Sequence, residues 1–229
     1  MAAVFVTGTD TGCGKTSISE CLLRGATNLG VSAAGMKPIA TGIDPDSLEN
    51  EDIVKLASAS TSPPAPELLN QYCFPEPCSP NIASTANQTK ISLDKIHSAF
   101  ESLRVQYDFV VVEAVGGWKV PIGKTESVAD LAIKLDIPVV LVVGIRLGCI
   151  NHAILTAESL RGSKVRVCGW AANFYDDTVL FPNEVLKTLS DNLKYPLLQI
   201  IRKNEPLKNS TRFAAALLEK VGRKNASEL

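Results

Sequence analysis

The stretch Thr7 to Thr16, reading TGTDTGCGKT, places three glycines and a closing Lys-Thr pair directly after the apolar run Ala2 to Val6. Gly8, Gly12 and Gly14 allow a backbone to turn through positive φ and approach phosphate oxygens, with successive N–H groups facing inward as an anion nest. Lys15 adds a point charge. Thr16 opens a helical pattern and offers a hydroxyl suited to Mg²⁺, while the helix N-terminus supplies the positive end of its dipole. The common phosphate loop has four residues between its first glycine and Gly-Lys-Ser/Thr, whereas five separate Gly8 from Gly14 here.

A second chemical pattern lies at Phe109-Val110-Val111-Val112-Glu113. Four apolar residues closed by an acid follow the logic of a Walker B element, in which a carboxylate at a strand's C-terminal end contacts Mg²⁺ directly or through water. Lys37 follows another short strand pattern, Val31 to Met36, and Pro38 stops further pairing there. A cation at that end of a parallel strand projects to the edge where such sheets bind ligands. Asp52 falls in the first turn of a helix expected from Glu51 to Ala59, where an acid is at minimum a dipole partner.

These residues require a scaffold, and the hydropathy pattern supplies one. Helical periods run over 15–29, 91–105, 128–135, 183–193 and 213–221, and another helix follows Leu147-Gly148-Cys149-Ile150-Asn151-His152 to about Leu160. Strand patterns occur at 109–113, 137–144, 165–172 and 197–201. Ile137 to Gly144 is apolar on both faces, which implies cover by helices on both sides. Strands alternating with helices predict an α/β fold: a parallel sheet flanked by helices on both faces, in a single domain over residues 1–229. The proline-rich stretch Ser62 to Pro80 reads as a packed loop without regular elements, covering a site.

At 229 residues with 45% hydrophobic content and a formal charge of −1, the chain offers no electrostatic case for nucleic acid or an anionic membrane surface. The six cysteines form neither a C-x-x-C pair nor a zinc spacing with His97 and His152, so they are expected to be reduced packing residues. The N-terminus shows no basic leader, and no apolar run approaches the roughly 18 residues of a membrane span. A cytoplasmic location and small-molecule chemistry are the expectations.

Several of these stretches together resemble the dethiobiotin synthetase family. Its loop reads GTDTxxGKT; Lys37 to Gly42 is similar to its KPxxTG stretch, Tyr72 to Pro80 to YxFxxPxSP, Glu113 to Trp118 to EGAGGW, Leu147 to His152 to LGCINH, and Gly169 to Asn173 to GWVAN. Ala114 and Val115 stand where the family has Gly and Ala, and a glycine needed there for an unusual backbone angle would leave Ala114 strained. After the last strand the family's Gly-Glu-Ile-Pro is missing, so base and ribose contacts from that end do not carry over.

The resemblance implies a P-loop NTPase-type fold and closure of the ureido ring of dethiobiotin from 7,8-diaminononanoate, CO₂ and ATP with Mg²⁺. It assigns Thr11, Gly12, Cys13, Gly14, Lys15 and Thr16 to the triphosphate, with Thr11, Lys15 and Lys37 acting on the transferred groups. Thr16, Asp52 and Glu113 would hold Mg²⁺, and Asn173 would read adenine. Thr41, Ser79, Pro80 and Gly116 would border the diamine. Gly148, Cys149, Ile150 and Asn151 of a partner subunit would receive its carboxylate, which makes a homodimer the expected assembly. Two other classes share such a loop. A partitioning-type ATPase would carry an extra loop lysine that Thr9-Asp10-Thr11 lacks, and a cobyrinate-type amide ligase would bring a glutaminase domain for which the chain has no room.

Overall fold

The computed structural model of the protein describes residues 1–175, 178–203, 205 and 207–222. Strand β1 (Ala2–Gly8) leads through the glycine loop into α1 (Lys15–Asn28), and β2 (Ala33–Met36) is followed at once by the short β3 (Ile39–Thr41). An excursion of α2 (Glu51–Ala59), α3 (Pro66–Leu69), β4 (Tyr72–Phe74) and α4 (Pro80–Ala86) precedes α5 (Leu93–Gln106) and β5 (Phe109–Glu113). The second half alternates: α6 (Val128–Leu135), β6 (Val139–Ile145), α7 (Cys149–Gly162), β7 (Val167–Phe174), α8 (Pro182–Leu193), β8 (Leu197–Arg202) and α9 (Ser210–Gly222).

The main sheet has six parallel strands in the order β2-β5-β1-β6-β7-β8. Successive side chains of a strand point to opposite faces, and the two cores follow that alternation. Ala3 and Phe5 of β1, Val110 and Val112 of β5, and Leu141 and Val143 of β6 join Phe100, Leu131 and Leu160 on one face. Val4, Val6, Val111, Val140 and Val142 join Ile18 and Leu22 of α1 and Phe213 and Leu217 of α9 on the other. Helices on both faces explain why β5 and β6 read as unbroken apolar runs. Phe5 is fully buried, and its truncation to alanine should cost about 3–5 kcal/mol.

Chain connections run to opposite sides of β1, whose neighbours are β5 and β6. The C-terminal end of β1 is therefore a topological switch point, the place where open parallel sheets form their ligand crevice. The glycine loop begins there.

The proline-rich excursion is more regular than the sequence suggests. Pro66 and Pro80 occupy the first positions of α3 and α4, where a missing N–H costs nothing. Between them β4 pairs in parallel with β3 as a second, two-stranded sheet. The Lys37 N–H donates to Leu69 O at 2.8 Å and the Tyr72 N–H to Pro38 O at 3.0 Å, which ties the excursion to the end of β2 and so to Lys37.

Candidate active site

The loop after β1 adopts the left-handed backbone that its glycines allow, with φ of 69° at Gly12 and 95° at Gly14. Gly14 caps α1, so Lys15 and Thr16 stand on its first turn. Lys15 Nζ donates to Asp10 O at 3.0 Å, folding the lysine back over the loop. Asp10 is held in turn: its Oδ1 accepts from the Thr11 N–H at 2.7 Å, and its Oδ2 pairs with Arg146 at the end of β6.

Two strands, β2 and β5, and one helix, α2, deliver the charged groups beside this loop. Thr16 Oγ1 lies 2.6 Å from Asp52 Oδ1 and 2.9 Å from Glu113 Oε1; its one hydroxyl proton serves one carboxylate at a time. Lys37 Nζ donates to Asp52 Oδ2 at 2.7 Å and to Glu113 Oε1 at 2.6 Å. Burial alone would lower the Lys37 pKa, but the carboxylates of Glu113 and Asp52 outweigh it and hold the ammonium above its ordinary value. Burial likewise pushes Asp52 up, and Lys37 more than reverses it, leaving that carboxyl below the usual range. Lys37 and Glu113 side chains are 3% and 0% exposed, against 37% for Asp52, so Glu113 is the partner whose charge has no access to water.

The same residues fit Mg²⁺. Glu113 Oε2 is buried without a hydrogen-bond partner, an oxygen positioned to be ligated rather than solvated. Among the described residues no group of three or more His, Cys, Asp and Glu gathers as a metal cage. Two carboxylates and a hydroxyl next to a phosphate loop match the donor set of Mg²⁺, which keeps waters and phosphate oxygens as its other ligands.

A cleft of about 460 Å³ gathers Thr11, Gly12, Gly14, Lys15, Thr16, Lys37, Thr41, Asp52, Gly116 and Asn173. Glu113 does not line it but is buried behind Thr16 and Lys37, to which it bonds, and Cys13 is the buried residue of the loop. The Asn173 amide donates to Cys13 O at 3.3 Å. Gly148, Cys149 and Ile150 do not line this cleft. They line a second one of about 410 Å³ at the start of α7, with Asn151 exposed on the same turn. Ser79 and Pro80 also lie outside the first cleft: Ser79 precedes α4 with its hydroxyl on Asn81 Oδ1 at 2.7 Å, and Pro80 is buried. Ala114 is not strained. It is absent from the positive-φ residues of the described chain, its N–H donates to Val6 O at 2.9 Å, and its carbonyl lies 3.4 Å from Lys37 Nζ.

Sequence reasoning missed Tyr175 and Arg146. Tyr175 lines both clefts and donates its hydroxyl to Gly12 O. Its only sequence signal is its place two residues beyond Asn173, on the same side of an extended strand end.

A glycine loop between the switch-point strand and a helix, with a threonine on the first turn and an acid closing the adjacent strand, defines a P-loop nucleotide-binding protein of the parallel-sheet type. Solved structures agree on the fold. A ParA family ATPase from Chlorobium tepidum aligns with a TM-score of 0.53 at 13% identity, covering 99% of this chain and 94% of that one. Cobyrinic acid a,c-diamide synthase from Mycobacterium smegmatis, solved with bound ADP and magnesium, aligns at 0.55 and 15% identity, covering 98% and 97%. At such identities the likeness is one of fold alone.

The AAA domain family model matches residues 2–211. The ATP-dependent dethiobiotin synthetase BioD of Aromatoleum aromaticum is 44% identical over 201 residues, 87% of this chain and 89% of that protein. That of Pseudomonas aeruginosa is 42% identical over 201 residues, 86% and 88% of the two chains. The chain belongs to the ATP-dependent dethiobiotin synthetase family.

Proposed function

We propose that residues 1–229 act as one domain that closes the ureido ring of dethiobiotin from 7,8-diaminononanoate, CO₂ and ATP. One amine of the substrate adds to CO₂ and loses a proton, giving a carbamate. A carbamate oxygen attacks the γ-phosphorus and ADP leaves. The second amine then attacks the carbamoyl carbon, and the C–O bond to phosphate breaks, releasing inorganic phosphate.

The observation that carries this reading is the buried Lys37 ammonium, 2.6 Å from Glu113 at the mouth of the phosphate loop, in one cleft with the uncharged Thr41 and Gly116. A group transfer between two anions needs fixed positive charge more than it needs an acid or base. Lys15 and Lys37, which both line the cleft, would supply that charge, and the Thr11 hydroxyl a further donor. Thr16, Asp52 and Glu113 would hold Mg²⁺, which when bound neutralises charge on the terminal phosphates. Asn173 would meet the base with the end of its carboxamide that Cys13 does not use.

Thr41, Gly116 and the Ser79-Pro80 turn border the diamine in this reading, and Gly148, Cys149, Ile150 and Asn151 of a second copy receive its carboxylate. A helix N-terminus facing an anion provides the physical reason. In this reading the protein works as a homodimer in the cytoplasm; among the described residues no helix is long and apolar enough to cross a membrane. The test is mass-spectrometric detection of dethiobiotin from purified protein with diaminononanoate, bicarbonate, Mg²⁺ and each nucleoside triphosphate in turn. Product with ATP is expected; nucleotide hydrolysis with no product from any tube would overturn the reading.

A further inference from the structure

A loop that offers its N–H groups to phosphate turns the carbonyls of the same peptides away, where a side-chain donor can fix their direction. Two consecutive carbonyls at the apex of this loop are taken by side chains from one strand end. Gly12 O accepts from the Tyr175 hydroxyl, and Cys13 O accepts from the Asn173 amide at 3.3 Å. Asn173 belongs to β7 and Tyr175 follows that strand's last residue, two positions on, so one extended segment reaches both peptides.

The packing around these two side chains is close. A Cβ on Gly14 would lie 2.0 Å from Asn173 Nδ2, and a Cβ on Gly144 of β6 would lie 2.2 Å from Tyr175 Oη. Both glycines leave the space that the two side chains fill. Gly144 pairs directly with Asn173 in the sheet, so the ring of Tyr175 is seated on β6 while its hydroxyl reaches the loop. Burial, helped by the neighbouring Cys13, pushes the Tyr175 hydroxyl up to about 12, so it stays protonated and able to donate.

We infer that Tyr175 is a positioning residue for the triphosphate: with Asn173 it clamps the Gly12 and Cys13 carbonyls outward and so holds the loop's N–H groups in their anion-binding arrangement before the nucleotide arrives. The clamp rests on the reading of the loop as a triphosphate site. It acts through the peptides of Gly12 and Cys13, so its effect belongs to the phosphates and not to the base. Preorganised donors gain affinity because the ordering is done in advance.

The test compares MgATP with Mg-tripolyphosphate, which has no base, by calorimetric titration of the full chain and its Tyr175→Phe variant. The variant removes one oxygen from a partly exposed ring, so the fold is retained. Expected is a loss of about fivefold to tenfold, the worth of one neutral hydrogen bond, and the same factor for both ligands. KM for MgATP should rise by that factor while kcat at saturation stays within about twofold. Gly144→Ala, which displaces the ring and keeps the hydroxyl, should reproduce the loss. Unchanged binding of both ligands by Tyr175→Phe overturns the clamp, as does a loss confined to ATP, which would place Tyr175 on the base. A parent protein that binds neither ligand overturns the nucleotide reading itself.

Discussion

The two clefts that meet at Tyr175 are built from opposite materials. The first is charge-dense and internally paired: Lys37, Asp52, Glu113 and Thr16 bond to one another, leaving only Glu113 Oε2 open among them, and one chain supplies them all. The second has apolar walls, Ile145, Val179 and Val185 among them, around the start of α7, with Leu147 fully exposed and Leu180 78% exposed at its rim. A buried charge network must be complete to be tolerated, because a missing partner leaves an ion without water or counter-ion. An apolar wall with a helix N-terminus tolerates being half a site. The first cleft therefore answers to substitutions through internal electrostatics, and the second through what covers it.

The strongest way to break that contrast is Lys37→Ala. It should lower kcat about a thousandfold with ATP affinity changed less than about tenfold, read by steady-state kinetics and nucleotide titration. It also strands Glu113, so thermal unfolding should report a loss of about 3 kcal/mol. Adding Glu113→Gln should recover most of the stability and none of the rate. Near-normal turnover in the single variant would remove Lys37 from the chemistry.

Next in size is Asp52→Asn, which should raise the Mg²⁺ concentration for half-maximal rate at least about tenfold, since one of few carboxylate donors is lost. In the second cleft, Ile150→Glu places a negative charge on the first turn of α7. KM for the diamine should rise about tenfold with nucleotide binding unaltered, because an anion at a helix N-terminus competes with the substrate carboxylate. Equal damage to ATP binding would show that the clefts are not separable.

The pH dependence of stability is a smaller effect with a definite sign. Lys37 is raised above 10.5 in the folded chain, so its stabilisation is whole below that pH and is lost as pH rises through the higher folded value. Asp52 is lowered below 3.8, so its contribution is whole above that pH and is lost as pH falls through the lower folded value. Melting temperature should carry no slope from this pair between those limits. The smallest effect expected is that of Ala114→Gly: no gain in rate, and about 0.4–1 kcal/mol less stability through the added freedom of the unfolded chain.

Much of this was legible before folding because it is local. A loop between a strand and a helix announces its ligand by residue type, and an acid after four apolar residues must end a buried strand. The sequence also brought Lys37 to the right sheet edge, since Pro38 stops β2 there. Three features were not legible. The prolines of residues 62–80 suggested irregular chain, yet two of them begin helices and the short proline-free run between them pairs as β4. The alanine at 114 suggested strain, but the backbone there needs no left-handed angle. Tyr175 and Arg146 reach the loop across 163 and 136 residues of sequence, a proximity that only the order of β1, β6 and β7 creates.

The central claim is that a carbamate oxygen, not water, receives the phosphoryl group over Lys37. It is tested most directly by supplying [¹⁸O]bicarbonate with diaminononanoate and MgATP and analysing the released phosphate by mass spectrometry. Inorganic phosphate carrying one ¹⁸O from the carbamate is the result expected. Phosphate whose new oxygen comes only from solvent would mean that the cleft hydrolyses ATP, and the account of Lys37 would be wrong.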